Sequence, residues 1–354
     1  MTTITRNVLC LLLLSMIALA ALNADPTATA PSGARAGIAA DLQASALGAA
    51  SAEHHPLLPT VSVSAFTEVW NGDVLEYVWE NNYMLSELIW TISDIQTAGA
   101  SAALVWCSGL FIGGEFSTAL SSKTGTLDDS DWKNIKYGDP YTKTHYSHHD
   151  TTLVYAETAR LDAGWRLTPD LPAIFPVQTN RKTQPFSLTP TIGIRYISWK
   201  WDARDGYTQY PPESEPIQFS GLGISYAQQI LVPNAGLHIY IPALSMVSCS
   251  FSAVFSPFVQ CYAIDTHHVT NHTYHDLLES GTFFEASMSV AFNPFKNLSL
   301  YVSASSSAIR NLRGSTAIQT GTSTNYSWEL YSSGNGGGAE LLAERVRIGI
   351  SASF

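Results

Sequence analysis

FEASMSVAFNPFKNLSLYVSAS, residues 284–305, carries the pattern that decides the fold. On both sides of its central turn, larger apolar residues alternate with small or polar ones. Phe284, Ala286, Met288, Val290 and Phe292 precede the turn, and Leu298, Leu300, Val302 and Ala304 follow it. Because successive side chains of a strand point to opposite faces, each half has one face suited to lipid and one polar face. The stretch predicts a hairpin of a membrane-spanning β-barrel.

The same alternation runs through much of the chain and returns at its end. Residues 345–354 place Val346, Ile348, Ile350, Ala352 and Phe354 on one face. Alternating runs separated by turn signals number about ten, and bacterial outer-membrane barrels use even numbers of strands. We therefore predict an all-β fold, a ten-stranded antiparallel transmembrane β-barrel of the outer membrane, over residues 60–354. Longer outer connections are expected near 72–82, 121–150, 205–216, 265–276 and 311–338, and short opposite turns near 97–99, 243–245 and 293–297.

Two N-terminal segments precede the predicted barrel. Residues 1–24 carry Arg6, then an apolar run, and end in a small residue, which is the pattern of a secretory signal peptide. Residues 25–59 are rich in Ala, Ser and Pro and predict a flexible leader. The protein is therefore expected to be exported.

The overall composition narrows the function classes. A net charge of -11 argues against nucleic acids and acidic phosphates as partners. Charged residues make up only 13% of the chain and aromatic residues 11%, which suits strands with one lipid-facing side. The mature chain retains three cysteines without framework spacing, so disulfides are not expected to define the fold.

Two short acidic motifs are the candidates for chemistry. Asp265 and His267 are two residues apart and project to the same side of an extended chain. A carboxylate beside an imidazole fixes the ring tautomer and raises its basicity, as a general base requires. Asp129 and Asp131 have the same spacing, and two close carboxylates disfavour joint ionisation, so the pair can bind or activate water. In a ten-stranded barrel both motifs lie on the outer rim, on roughly opposite sides of a cleft.

The chain resembles the omptins, a family of outer-membrane endopeptidases built as ten-stranded barrels. The resemblance covers about residues 66–354. It is strongest in GTLDDSDW (125–132), HHDTTLVYA (148–156), ISYAQQILVP (224–233) and DTH (265–267). The order and spacing of both acidic motifs match the family. The resemblance implies an aspartic-type endopeptidase in the outer membrane, with its site facing outside, a polypeptide substrate at the cell surface, and neither cofactor nor metal.

The resemblance also implies a role for each residue of the two motifs. His267 takes the proton from a water that attacks the peptide carbonyl. Asp265 orients the ring and stabilises the imidazolium, while Asp129 and Asp131 hold the water or the oxyanion side.

The binding residues of the family are only partly matched. Glu76 resembles an acid that helps to bind a basic residue before the cut, and the other acid of that pocket falls at Ala263. The acid of the next subsite falls near Lys143, so cleavage between paired basic residues is not implied. Outer-membrane lipid is an expected partner, but the family motif that grips lipopolysaccharide is not matched. Its positions are occupied here by Ile194, Tyr196 and Ser198.

Four alternatives stay open on the residues alone. A non-catalytic barrel, either a pore or an adhesin, would carry the same acids merely at its rim. A serine protease would use Ser147 as nucleophile with Asp265 and His267 as partners. An enzyme that acts on lipid would also use Ser147 as nucleophile. A metal site would draw on histidines of two outer segments, although their spacing matches no defined zinc pattern. These histidines are His145, His148, His149, His267, His268, His272 and His275.

Overall fold

The computed structural model describes residues 59–80, 83–133, 139, 141–169, 186–244, 246–295, 297–322 and 325–354. The predicted signal peptide and all of the predicted leader except Pro59 lie outside these residues. None of the described residues forms a helix long and apolar enough to cross a membrane. The strands are β1 (Thr60–Glu80), β2 (Tyr83–Val105), β3 (Leu110–Ala119), β4 (Lys123–Asp131), β5 (His145–Trp165), β6 (Ser187–Gln209), β7 (Ile217–Gln218), β8 (Leu222–Pro242), β9 (Val247–His267), β10 (His272–Phe295), β11 (Leu298–Thr322) and β12 (Asn325–Ser353).

These strands close into a ring. β1 pairs antiparallel with both β2 and β12, and every other step around the ring is antiparallel as well. β3 and β4 share one position, because each of them lies between β2 and β5. β7 pairs with the end of β6. The ring therefore has ten positions, and the predicted ten-stranded antiparallel barrel is confirmed.

An apolar belt surrounds the end of the barrel where the start of β1 pairs with the end of β12. Large apolar side chains are exposed there on the outer face, including Val63, Phe251, Phe255, Phe284, Phe292, Leu300, Val302, Ile348 and Ile350. β1 has 21 residues and β12 has 29, whereas about 9–11 residues suffice for a strand to cross a bilayer. The strands therefore continue well beyond the belt, and the opposite mouth of the barrel lies outside the membrane.

Much of the chain that was expected to form outer loops continues as strand. β4 lies inside the expected loop 121–150, and the expected loop 265–276 is a tight hairpin between β9 and β10. β11 and β12 occupy most of 311–338. Beyond the belt both faces of a strand meet polar surroundings or a mixed interior. The apolar alternation therefore fades there, although strand pairing continues.

The prediction of a short turn at 97–99 is also wrong. β2 runs through these residues to Val105, and the chain turns at 106–109, where Gly109 has φ 92°. Gly99 lies inside the strand because the ring of Phe66 packs on it: an added Cβ would come within 2.3 Å of Phe66 Cζ. The small residues at this point make room for an aromatic ring rather than for a turn.

The interior at the level of the belt is filled by ion pairs. Nη2 of Arg347 lies 2.9 Å from Oε2 of Glu68 and 2.7 Å from Oε1 of Glu115. Glu285 binds Arg195 at 2.8 Å and also contacts Arg345. The cavity among these side chains is about 50 Å³, which is room for a few water molecules only. Neutralising partners therefore surround the carboxylates that the barrel buries at this level.

Candidate active site

Asp265 and His267 stand at the outer end of β9, beyond the belt. Nε2 of His267 lies 2.6 Å from Oδ2 of Asp265. The Asp265 side chain is 4% exposed and that of His267 32%. Tyr274 on β10, which pairs with Asp265 in register, packs edge-on against the His267 ring with centroids 5.4 Å apart. The imidazole is thus oriented from two sides while part of it stays open to the mouth.

Asp129 and Asp131 lie at the outer end of β4. Ser86 on β2 donates from Oγ to Oδ1 of Asp129 over 3.3 Å, and Nζ of Lys133 lies 2.6 Å from Oδ2 of Asp131. β4 and β9 occupy the third and seventh of the ten ring positions, so they form roughly opposite walls of the barrel. The structure brings the two predicted pairs to one mouth, where they face each other.

The two pairs interact electrostatically across the mouth. Burial alone lowers the pKa of the His267 imidazole, but the negative charges of Asp265, Asp129 and Asp131 outweigh it and raise the pKa to about 9. Burial and the negative charge of Asp131 raise the pKa of Asp129 to about 7, although His267 and Lys133 oppose this rise. With these pKa values, the His267 imidazole is largely protonated at neutral pH and the Asp129 carboxyl is partly protonated.

Glu76 lies on β1 inside the barrel, below these pairs. It is 3% exposed, and Trp90 donates from Nε1 to its Oε2 over 3.4 Å. Burial together with the charges of Asp265 and Asp276 raises the pKa of Glu76 well above its usual range. The structure therefore puts the predicted binding acid beside the catalytic candidates, in a strongly acidic interior.

Ser147 contacts a different histidine from the one expected. Its Oγ lies 3.0 Å from Nε2 of His149, whose Nδ1 lies 2.5 Å from the backbone carbonyl oxygen of Asp205. His267 instead forms a hydrogen bond with Asp265 and an edge-on ring contact with Tyr274. The geometry thus separates Ser147 from the Asp265–His267 pair.

The remaining outer histidines do not converge either. His148 binds Asp128, His145 stacks on Tyr210, His268 binds Ser225 and His275 binds Tyr262. In the described part of the chain, no three His, Cys, Asp or Glu side chains are arranged to hold a metal ion.

Several residues of the site carried no signal in the sequence. Ser86 and Trp90 lie on β2, which pairs with β4, and Tyr226 lies on β8, which pairs with β9. Asp276 lay in what was expected to be a loop, but it is a buried residue of β10. Only the register between strands shows that these residues are neighbours of the site. For Asp276, the one available signal in the sequence was an acidic residue followed directly by two leucines, at 276–278.

Comparisons with known proteins identify the family and the fold. The sequence profile described as the Omptin family matches residues 58–354. The "Plasminogen activator" of Yersinia pestis is 22% identical over 247 residues, which are 67% of this chain and 74% of that protein. The crystal structure of the outer membrane protease OmpT from Escherichia coli superposes with a TM-score of 0.73 at 19% identity, covering 86% of this chain and all of that one. The fold is therefore that of OmpT, and the chain belongs to the omptin family.

Proposed function

We propose that this protein is an endopeptidase of the outer membrane that hydrolyses polypeptides at the cell surface, with its site facing outside. The observation that carries the proposal is the Asp265–His267 contact of 2.6 Å on the wall opposite Asp129 and Asp131. A general base beside a carboxylate, opposite a second pair of carboxylates, is an arrangement that can activate a water molecule between them.

In the proposed mechanism, water rather than a side chain is the nucleophile. His267 accepts a proton from the water as its oxygen attacks the carbonyl carbon of the peptide. The buried carboxylate of Asp265 stabilises the imidazolium that forms. The imidazolium then gives the proton to the nitrogen of the leaving amine, so that the C–N bond breaks and the base is regenerated.

The opposite pair serves the oxygen atoms of the reaction. With a pKa of about 7, Asp129 is partly protonated near neutral pH and can donate a hydrogen bond to the developing oxyanion. Asp131 accepts a hydrogen bond from the attacking water and keeps it oriented. The proposed enzyme is aspartic in type, because three aspartates and His267 act on water and no covalent intermediate with the enzyme forms.

The interior of the barrel argues against the rival function of a pore. The ion pairs around Arg347 and Glu285 fill the lumen at the level of the belt and leave about 50 Å³ between them. Ile194 and Tyr196, at positions that the resemblance assigns to the lipopolysaccharide motif of the family, are 40% and 37% exposed on the exterior. We infer that outer-membrane lipid surrounds this face without the family's ionic contacts.

The test is cleavage of a randomised peptide library by refolded protein in detergent, with products read by mass spectrometry. Asp265→Ala serves as the inactive variant. Asp128→Asn is the matched control, because Asp128 lies next to Asp129 on β4 but binds Tyr146 and His148 instead. Cuts made by the wild type and the control, and absent with Asp265→Ala, support the proposal. Identical products from all three proteins contradict it.

A further inference from the structure

A lysine stands at the mouth of the barrel beside one of the two candidate pairs. Nζ of Lys133 lies 2.6 Å from Oδ2 of Asp131. The side chain of Asp131 is 12% exposed, whereas that of Lys133 is 53% exposed, so the cation lies on the open side of a nearly buried acid. Among the described residues this is the one ion pair of Lys133. Because an ammonium group has three N–H donors, the contact leaves donors of Lys133 for another molecule in the mouth.

Thr144 fixes the position of this lysine relative to the acid. Its Oγ1 donates to the backbone carbonyl oxygen of Asp131 over 3.1 Å and accepts from the backbone N–H of Lys133 over 3.0 Å. The same oxygen lies 3.0 Å from Nδ1 of His145. Since Thr144 is buried, these contacts hold the backbone of Lys133 and the ring of His145 in a fixed relation to Asp131.

Two stacked rings form the wall of the mouth next to this lysine. His145 on β5 pairs in register with Asp131 on β4, so both side chains project to the inner face. The His145 ring stacks on Tyr210 with centroids 4.1 Å apart and an interplanar angle of 17°. Tyr210 is 67% exposed, so the stack reaches the open part of the mouth. We call Lys133, His145 and Tyr210 together the Lys133 patch.

Lys133 carries the positive charge of this patch. Burial and the charge of Lys133 lower the pKa of the His145 imidazole, and Asp131 opposes them only in part. The His145 ring is therefore neutral near pH 7. Lys133 also opposes the rise that burial and Asp131 cause in the pKa of Asp129, so its charge acts on both carboxylates of the pair. The patch thus has the opposite charge to the acid that the resemblance implies near Lys143.

The charge and shape of the patch indicate which side chains it accepts. A basic side chain would bring a second cation beside Nζ of Lys133 and would be repelled. An acidic side chain offers oxygen atoms to the remaining N–H donors of Lys133, while its methylene groups pack on the ring stack. Asp131 lies on the buried side of the ammonium group, so the lysine stands between that acid and an incoming carboxylate.

We propose that Lys133 makes the β4–β5 wall of the mouth a subsite for a glutamate or aspartate side chain, at one of the two substrate residues that flank the cut. This inference rests on the proposed endopeptidase function. His145 and Tyr210 support the stem of the acidic side chain, and basic side chains are excluded from the subsite. Lys133 is a specificity-determining residue, since it binds the substrate but takes part in no proton transfer.

Competition between paired peptides tests the subsite. A peptide that the wild type cuts in the library is resynthesised with glutamate, glutamine or lysine at each of the two residues that flank the cut, and two peptides at a time are cleaved in one reaction. The ratio of their kcat/KM values does not depend on the amount of folded enzyme. At one position we expect glutamate to be preferred over glutamine by about 3- to 10-fold, a charge-assisted hydrogen bond weakened by the exposure of the lysine. Lysine should be the poorest of the three.

The variants separate this lysine from the general charge of the protein. Lys133→Met should bring glutamate and glutamine to equal rates. In the wild type, added salt should reduce the preference, because ions screen an exposed charge. Lys143→Met is the matched control and should keep the wild-type preference. It removes the same charge on the opposite face of the wall, where Lys143 binds Ser130 and lies over the rings of Trp132 and Tyr146.

A glutamate-to-glutamine ratio of one or less at both positions overturns the proposal, and so does a preference that Lys133→Met leaves unchanged. If such results accompany Asp265-dependent cuts, the endopeptidase function stands and the subsite fails. Electrophoretic mobility of the folded barrel identifies a variant that does not fold, and Lys133→Gln then carries the test.

A binding measurement covers the case in which the wild type cuts nothing. Acetyl-Ala-Glu-Ala amide and its glutamine counterpart are titrated calorimetrically into Asp265→Ala protein, with and without Lys133→Met. Tighter binding of the glutamate peptide that is lost with Lys133→Met supports the subsite while the endopeptidase function fails. Equal binding of the two peptides overturns the subsite as well.

Discussion

Oδ2 of Asp265 lies 2.6 Å from Nε2 of His267, and the carboxylate that makes this contact is almost completely buried. Because the charge of Asp265 is shielded from water, its effect on the ring is large. It is the main interaction that raises the pKa of His267 to about 9 in spite of burial. The contact therefore sets both the orientation of the ring and its strength as a base.

Replacing this carboxylate by an amide should separate shape from charge. Asp265→Asn keeps the size of the side chain but removes the charge that favours the imidazolium, so the pKa of His267 should fall. We expect kcat to drop by about 10²–10⁴, the usual contribution of a positioned general base. Proton NMR titration of the His267 ring in detergent measures the pKa, and steady-state cleavage of a fluorogenic peptide measures kcat. A pKa that stays near 9 would show that Asp265 is not the main source of the shift.

The coupled pair across the mouth predicts a bell-shaped pH profile. Activity requires neutral His267 and protonated Asp129, whose pKa values are about 9 and about 7. The fraction with both groups in the required state rises with pH below about 7, is flat to about 9 and then falls. Measurement of kcat/KM between pH 5 and 10 tests this shape, and a maximum at acidic pH contradicts the assignment.

Asp131 should control the position of that profile. Asp131→Asn removes a negative charge that raises both pKa values, by repelling the charged form of Asp129 and by favouring the imidazolium of His267. Both limbs should therefore move to lower pH. The control is Asp128→Asn, whose carboxylate binds Tyr146 and His148 instead. Limbs that move in opposite directions would exclude this electrostatic scheme.

The sequence predicted the fold where its residues meet lipid. Alternation in 284–305 and 345–354 indicated membrane strands because one face of each had to be apolar, and those strands are present as expected. β4 was missed because its two faces meet the barrel mouth and the polar surface, so no apolar period marks it. Gly99 suggested a turn because glycine is common in turns. It is needed instead to make room for the ring of Phe66, which lies on another strand and therefore leaves no local signal in the sequence.

The candidate site likewise contains residues that the sequence predicted and residues that it did not. Asp129, Asp131, Asp265 and His267 formed local motifs with a spacing of two, and the structure brings both motifs to one mouth. Asp276 has no such motif. Its importance depends on a register that pairs it with Ala263 and on a glycine of β12 that leaves it room. Both relationships depend on the pairing of strands, which no local pattern in the sequence reveals.

Serine chemistry makes an opposite prediction to the water mechanism. Oγ of Ser147 lies 3.0 Å from His149, and that histidine is backed by a backbone carbonyl rather than by a carboxylate. We therefore expect no covalent adduct when active protein is treated with a fluorophosphonate probe and examined by intact-mass spectrometry. An adduct on Ser147, accompanied by loss of activity, would favour the serine alternative over His267.

The filled interior predicts that the barrel does not conduct. The ion pairs of Arg347 and Glu285 lie across the lumen at the level of the belt. Refolded protein in a planar bilayer should therefore show no stable open-channel current, whereas a general porin run in the same chamber should. Steady conductance of porin size would support the passive-barrel alternative.

The same ion pairs should also carry much of the stability of the barrel. The guanidinium of Arg347 neutralises both Glu68 and Glu115 at 2.7–2.9 Å, and its side chain is only 7% exposed. Arg347→Met keeps much of the apolar stem but leaves two buried carboxylates without a cation. Breaking a buried pair in this way costs about 3–5 kcal/mol, so the midpoint of urea unfolding, followed by the gel mobility of the folded barrel, should fall clearly.

Two further variants separate charge from packing in this experiment. Arg310→Gln breaks the pair with Glu340, in which the arginine side chain is 45% exposed, and its effect should stay within about 1 kcal/mol. Adding Glu68→Gln and Glu115→Gln to Arg347→Met removes the uncompensated charges and should recover most of the lost stability, because a neutral interior of similar volume no longer carries their desolvation penalty. If the triple variant remains as unstable as Arg347→Met alone, the stability comes from the packing of the Arg347 side chain on Phe66, 3.7 Å from the ring centroid, rather than from charge neutralisation.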